Sequence, residues 1–273
     1  MSDETSLPSQ QDVLDAARRV HGHVRRTPVL QNEALNELAG ASLCLKCENL
    51  QLTGSFKIRG ATNRLLQLPA EAREKGVVAF SSGNHAQGVA RAARVFQMPA
   101  LIVMPADAPA IKVEGGRRDC AEIRLYDRDG ESREEIAAEM ARERGATLVP
   151  SFDDPYIIAG QGSAGVEFGQ QMRDANTPLD HIICCAGGGG LINGLTLGYR
   201  SFDPDIRVWS AEPEEHDDWR RSLAAGEIKP NAPGTRSICD AILTPAPSEL
   251  TWALGRELLA GGLAVSDDAI KEA

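Results

Sequence analysis

A chain of 273 residues, 42% hydrophobic and 25% charged, is long enough for one large or two modest domains with a sizeable core. Its 39 Asp and Glu against 29 Lys and Arg leave a formal net charge of −10, which argues against non-specific binding to nucleic acid or to an anionic membrane. No apolar run approaches the roughly 20 residues of a membrane span, and the first 11 residues are polar and acidic rather than a signal peptide, so a cytoplasmic address is expected.

Apolar residues at Val13, Leu14, Ala17 and Val20 have helical spacing and predict a helix over 11–21. Residues 42–46 read as a strand. The polar stretch 48–60 then opens into a helix through Leu66, with Gly54 and Ser55 marking the turn. From Gly76 the pattern alternates: strand 77–80, helix 85–96, strand 100–104, helix 110–118, strand 122–126, helix 132–144. A second series follows, with helix 160–173, strand 181–185, helix 191–199 and strand 207–210. Such alternation predicts parallel strands, because parallel neighbours need crossovers and the crossover helices cover both sheet faces. The expected fold class is α/β, with two lobes, each a mostly parallel sheet flanked by helices.

Three segments carry candidate chemistry. Gly187, Gly188, Gly189 and Gly190, followed by Leu191, stand between a predicted buried strand and a helix. Four glycines let backbone N–H groups close around an anion, and the helix adds the positive end of its dipole; a tight turn needs only one or two. The dinucleotide pattern G-x-G-x-x-G fails in both registers, meeting Ile192 or Asn193 where its last glycine belongs, and there is no G-K-[ST]. The phosphate that fits this cradle is therefore not that of NAD or a P-loop nucleotide. The second segment, Ser81, Ser82, Gly83, Asn84 and His85, opens a helix after a strand, where free N–H groups meet ligands. One Ser or Asn would serve as an N-cap; three such residues point to a carboxylate or a cofactor oxygen. The third is Lys57, at a predicted helix start among Thr53, Gly54, Ser55 and Phe56. The helix dipole disfavours a cation there. Alone it reads as a solvent-exposed lysine; beside a phosphate cradle, an amine of lowered pKa suggests a Schiff base with a phosphorylated aldehyde cofactor.

Other residues read more plainly. Cys44 and Cys47 form a C-x-x-C at a strand end, where residues three apart face opposite ways, and no second Cys or His pair completes a zinc site. Cys184 and Cys185, inside an apolar run, read as small buried hydrophobes, and six cysteines in this length suit a reducing compartment. The acidic run from Glu212 to Asp218 reads by itself as a solvated loop.

Taken in order, the three segments resemble the pyridoxal-phosphate (PLP) enzymes of the tryptophan-synthase-β fold type, and within them the threonine/serine dehydratase and serine racemase group. The resemblance runs from about Gln11 to the C-terminus. It includes Thr27 and Pro28, Lys46, Glu48 and Asn49, Ser55 to Ala61, the Ser81 and glycine segments, Met104 and Pro105, Asp154 and Pro155, Gly160 to Gly162, and Glu212 and Pro213. It implies a discontinuous large PLP-binding domain, 1–75 and 150–273, and a small domain, 76–149. It also implies that Lys57 holds PLP, that Phe56 packs near the ring, that Asn84 bonds the ring hydroxyl, and that Gly187, Gly188, Gly189, Gly190 and Leu191 hold the phosphate. Ser81, Ser82, Asn84 and His85 would bind the substrate carboxylate.

The implied reaction is β-elimination from a hydroxy amino acid such as threonine or serine, giving a 2-oxo acid and ammonia, with Lys57 removing the α-proton; the alternatives are serine racemisation and hydroxyaspartate dehydration. Ser82 matches the serine that racemases use on the opposite face of the α-carbon. The resemblance further implies an Mg²⁺ or Ca²⁺ site at Glu212, the His216 carbonyl and Asp218, hard oxygen donors that suit those ions, and a homodimer. Two departures are visible. Cys239, Asp240 and Ala241 stand where many relatives have Ala-Asp-Gly, so the Ala241 methyl is expected to narrow the pocket. Relatives also continue past the match to Val265 and Asp268 into a turn that bonds the pyridine nitrogen. The expectation is an incompletely held ring or a truncated product, with a catalytically impaired binding or regulatory homologue as the alternative of another class.

Overall fold

The computed structural model describes residues 6–81, 83–108, 110–127 and 130–273. Ser82, expected in catalysis and carboxylate binding, lies outside the described residues. In chain order the elements are α1 (Gln10–Val20), β1 (Val29–Leu30), α2 (Glu33–Ala39), β2 (Leu45–Lys46), α3 (Lys57–Leu66), α4 (Ala70–Lys75), β3 (Val77–Phe80), α5 (Asn84–Val95), β4 (Ala100–Pro105), α6 (Ala110–Arg118), β5 (Glu122–Tyr126), α7 (Arg133–Arg144) and β6 (Thr147–Leu148). They continue with α8 (Pro155–Asp174), β7 (His181–Cys185), α9 (Gly190–Tyr199), β8 (Arg207–Pro213), α10 (Asp218–Ala225), α11 (Glu249–Leu258), β9 (Gly261–Val265) and α12 (Asp267–Glu272).

The alternation produces two parallel sheets, as its periodicity predicts. One has the order β5-β4-β3-β6, the other β7-β8-β9. Val77 pairs with Ala100 in the first, and His181 with Arg207 in the second. β1 and β2 form a small antiparallel pair. Strand β3 is buried on both faces: Val77 and Ala79 meet α3 and α5 in one core, while Val78 and Phe80 face α7 in another. A third core joins α8, β7, α9, β8, α10 and α11 around Phe168, Ile182, Ile192, Val208, Trp219 and Trp252.

Where the boundaries differ from expectation, capping chemistry accounts for it. Helix α8 begins five residues before the expected start, because the Asp154 carboxylate accepts the Ile157 N–H at 2.8 Å and Pro155 supplies a preset first-turn φ. The expected strand 42–46 shrinks to two residues, and the strand beginning at Arg207 runs on to Pro213 alongside β9. Helix α8 is the spine. Gly160 meets Gly60 of α3 so closely that a Cβ on it would stand 2.7 Å from the Gly60 Cα, and a Cβ on Gly162 would stand 2.6 Å from the Gly194 oxygen of α9. These contacts without side chains bring the helix that starts at Lys57 and the helix that follows the glycine loop onto one support.

Candidate active site

The C-terminal ends of β3 and β7 open on the same cavity, about 1340 Å³ in volume. Ligands in open α/β sheets collect at that end of the strands. Lys57, Phe56, Ser81, Asn84, His85 and the glycine loop all line it, so sequence segments more than a hundred residues apart converge.

Lys57 is the first residue of α3. Its Nζ donates to the Ser151 carbonyl at 2.8 Å and lies 5.4 Å from the centre of the Phe56 ring. Burial pushes its pKa down to about 8, with Cys185 pulling the other way. Cys185 corrects an expectation. Only Cys184 is buried; strand alternation turns Cys185 into the cavity, and its thiol is lowered chiefly by its neighbour Cys184, with Lys57 adding to the effect. Cys44 and Cys47 are free thiols flanking the two residues of β2, as a structural reading requires.

On the glycine loop, Gly189 has φ +90°, and a Cβ there would stand 2.2 Å from Trp219 Cζ2; one on Gly188 would stand 2.3 Å from the Phe152 ring. The loop is therefore closed to side chains on one side and presents backbone on the other. The N–H groups of Gly187 to Leu191 make no hydrogen bond among the described residues. The Gly187 carbonyl accepts from Trp219 Nε1 at 2.6 Å, a clamp that no sequence motif marks.

The Ser81 loop enters α5 with Gly83 as N-cap, and Ser81 Oγ accepts the Gly83 N–H at 3.1 Å. Among the described residues the Asn84 side chain makes no hydrogen bond, and the N–H groups of Asn84, His85 and Ala86 carry none. His85 is buried with Nε2 at 2.9 Å from the Val149 oxygen. A carbonyl only accepts, so the neutral ring donates from Nε2 and leaves Nδ1 as a bare, unpartnered acceptor. Burial, then the Lys57 charge, push its pKa down to about 3. Its ring cannot donate to a carboxylate; its backbone N–H can.

Behind Lys57 lies a buried charge quartet. Arg59 donates to both oxygens of Glu48 at 2.7 Å and to both of Glu167 at 3.2 Å, and Lys46 pairs with Glu167. Thr27 joins through bonds to Glu48 and Glu167. Four segments are thus bolted around the start of α3.

The acidic run is solvated only at Glu214 and Glu215. Glu212, His216, Asp217 and Asp218 are all buried. Glu212 accepts the N–H groups of Trp219 and Arg220, each at 2.9 Å, and the Ser210 hydroxyl at 3.1 Å. Asp218 accepts from Asn231 at 2.7 Å, and its other oxygen is buried without a partner. His216 Nε2 faces Thr235 Oγ1 at 3.3 Å. Among the described residues no group of three or more His, Cys, Asp and Glu side chains is gathered as a metal-ligand set. No described helix is long and apolar enough to cross a membrane.

A family model described as "Pyridoxal-phosphate dependent enzyme" matches residues 20–273. The chain belongs to this PLP-dependent family. The L-threo-3-hydroxyaspartate ammonia-lyase of Pseudomonas sp is 45% identical over 267 residues, 97% of this chain and 82% of that one. Maize serine racemase superposes with a TM-score of 0.93 at 38% identity, over 98% of this chain and 80% of that one. The serine racemase of Dictyostelium discoideum gives 0.90 at 38%, over 98% and 84%. These similarities agree with the two-lobe α/β architecture. The site also fits a PLP cofactor on its own geometry: a half-buried amine of lowered pKa stands in one cavity with a side-chain-free cradle of unpaired N–H groups.

Proposed function

We propose that this chain catalyses β-elimination of a hydroxy amino acid, with 3-hydroxyaspartate, threonine and serine as the candidate class, releasing a 2-oxo acid and ammonia. The observation that carries this reading is the Lys57 amine in a cavity walled by the glycine loop on one side and the Ser81 loop on the other. Lys57 would carry PLP, the N–H groups of Gly187, Gly188, Gly189, Gly190 and Leu191 would hold its phosphate, Asn84 the ring oxygen, and Phe56 would pack at the ring. When bound, the cofactor supplies an electron sink for the pair left at the α-carbon.

The remaining work falls to the chain. Unpaired N–H groups at the start of α5, with Ser81 beside them and Ser82 as a further proposed member, hold the α-carboxylate at the positive end of the helix. Lys57 Nζ takes the α-proton, and a pKa of about 8 leaves a useful neutral fraction near neutral pH. The β-hydroxyl leaves as water and one water is taken up as ammonia departs, so the balance is substrate to 2-oxo acid plus ammonia. Neutral His85 donates to Val149 and so fixes the ring beside this amine without adding a competing charge.

The experiment is spectroscopic and chemical. Protein purified with PLP should show a visible absorption band that Lys57→Ala removes, and should yield ammonia and 2-oxo acid from a panel of L-hydroxy amino acids. A colourless, inactive wild type overturns the reading. Chiral analysis of serine reactions tests the racemase role of Ser82, which D-serine would support and pyruvate alone would exclude.

Finer parts belong to the same proposal. Residues 1–75 and 150–273 form the larger lobe and 76–149 the smaller, a division supported by a four-stranded sheet confined to 77–148. Two buried carboxylates, Glu212 and Asp218, with an unpartnered Asp218 oxygen support an Mg²⁺ or Ca²⁺ at Glu212, the His216 carbonyl and Asp218. Added Mg²⁺ should raise the melting temperature of wild type and not of Asp218→Asn; equal responses dismiss the site. Six free cysteines among the described residues support a reducing, cytoplasmic setting. Exposed Leu30, Leu38 and Leu45 support a homodimer.

A further inference from the structure

Two nucleophiles face the cavity, and the proposed reaction uses only Lys57. The other is Cys185, the last residue of β7, with Ala186 alone between it and the glycine loop. Pairing with Ala211 of β8 fixes its place in the sheet. Its side chain is exposed to the cavity, whereas Cys184 is buried in the core on the other face. The sulfur lies close enough to Lys57 for each group to shift the other's pKa. Its neighbour Cys184, through a side-chain hydrogen bond, does most to lower the thiol, burial opposes this, the Lys57 charge adds to it, and the outcome is about 7. At pH 7 about half of such a thiol is thiolate, against roughly 3% of an ordinary one.

The wall around this thiol also carries bare polar groups. His85 Nδ1 and Gln161 Nε2 belong to cavity-lining residues that are only 3% and 1% exposed, and neither atom has a hydrogen-bond partner. The Gln161 oxygen is already used, accepting the Gly60 N–H at 3.1 Å. One bare group accepts and the other donates, which is what a small hydroxylic molecule, water or hydrogen peroxide, needs at a buried wall.

We propose that Cys185 is an oxidation site: hydrogen peroxide entering the cavity converts its thiolate to a sulfenic acid, and the oxidised chain no longer takes up PLP. The sulfur attacks one peroxide oxygen, the S–O bond forms as the O–O bond breaks, and the departing hydroxide takes a proton to leave as water. Sulfur loses two electrons and the peroxide gains them; thiols reverse the change. The block on uptake rests on the cofactor reading above. A molecule tied to Lys57 and held at the glycine loop spans the space into which Cys185 projects, so an added oxygen obstructs it, and a bound cofactor in turn shields the thiol.

The test treats cofactor-free and PLP-loaded wild type with hydrogen peroxide in the presence of dimedone, and maps the label by peptide mass spectrometry. At pH 7, Cys185 of the cofactor-free chain should be labelled about tenfold faster than the exposed Cys120, and PLP loading should protect Cys185 and not Cys120. In parallel samples without dimedone, peroxide treatment followed by its removal should abolish the visible band that forms on adding PLP. Dithiothreitol should restore that band, and Cys185→Ser and Cys185→Ala should keep it throughout. Labelling of Cys185 no faster than Cys120, equal labelling of Cys185 in the two forms, or equal loss of PLP uptake in wild type and both variants overturns the proposal. If untreated wild type forms no band, the cofactor reading falls, and the label on the cofactor-free chain still decides whether Cys185 is the oxidised thiol.

Discussion

At the scale of single residues, the site depends on which groups the fold allows to hold charge. The Lys57 amine is taken out of water with one carbonyl as its hydrogen-bond partner, so burial disfavours its charged form and its pKa falls to about 8. The sign follows: the folded protein is penalised for a charged Lys57 below pH 8, and that penalty fades as pH rises from 8 toward the ordinary lysine value of about 10.4. Competitive acylation of the cofactor-free protein, read peptide by peptide, should give Lys57 a labelling midpoint near pH 8. A midpoint above pH 10 would show the amine to be solvated. Lys57 was legible because a rare combination of small neighbours and a distant glycine run surrounds it in the sequence. The turn of Cys185 into the cavity was not, since in the sequence it stands beside Cys184 in an apolar run and only strand pairing decides which of the two faces inward.

At the scale of elements, the glycine loop is built as much by its neighbours as by its own residues. Trp219, fully buried, donates its indole N–H to the Gly187 carbonyl and fills the space beside Gly189, while its backbone N–H binds Glu212. The acidic run and the glycine loop are thereby one structure, although more than 20 residues separate them in the chain. Gly189→Ala should lose about 1–2 kcal/mol to the left-handed backbone and about 1–3 more to overpacking against the indole. A urea midpoint should fall accordingly, and PLP loading should weaken with it; an unshifted midpoint would mean that the loop moves freely away from Trp219. A linear reading sees seven residues rich in acid and assigns them to solvent. Docking of α10 reverses that for Glu212, His216, Asp217 and Asp218, while Glu214 and Glu215 remain exposed.

At the scale of the molecule, α3 couples the two lobes. Ile58, Ala61 and Leu65 belong to the core beneath the first sheet, and Ile157 of α8 lies in the same core. On the other side of α3, Arg59 joins Glu48 and Glu167. Removing the guanidinium strands two largely shielded carboxylates, so Arg59→Met should cost about 3 kcal/mol, read from denaturant unfolding. Burial alone would raise the Glu167 pKa, yet Arg59 and Lys46 hold it below the ordinary carboxylate range. Its contribution is present above the ordinary Glu value and is lost as pH falls through the lower folded one. Shared cores also predict one cooperative transition. Fluorescence of Trp209, Trp219 and Trp252, all around the second sheet, should melt together with far-ultraviolet circular dichroism, which reports both lobes; separated midpoints would show the lobes to be independent.

By itself, the sequence determined the α/β class, the parallel strands from 77 to 126, the glycine turn that leads into a helix, the helix that follows the Ser81 loop and the helix start beside Lys57. All of these follow from periodicity, glycine content and capping, which act over a few residues. Tertiary structure alone decided that Cys185 faces the cavity, that the His85 ring is an acceptor, and that Glu212, His216, Asp217 and Asp218 are buried while Glu214 and Glu215 stay exposed. Those outcomes depend on which distant surface packs against each group, a matter of burial and hydrogen-bond partners that no local pattern encodes.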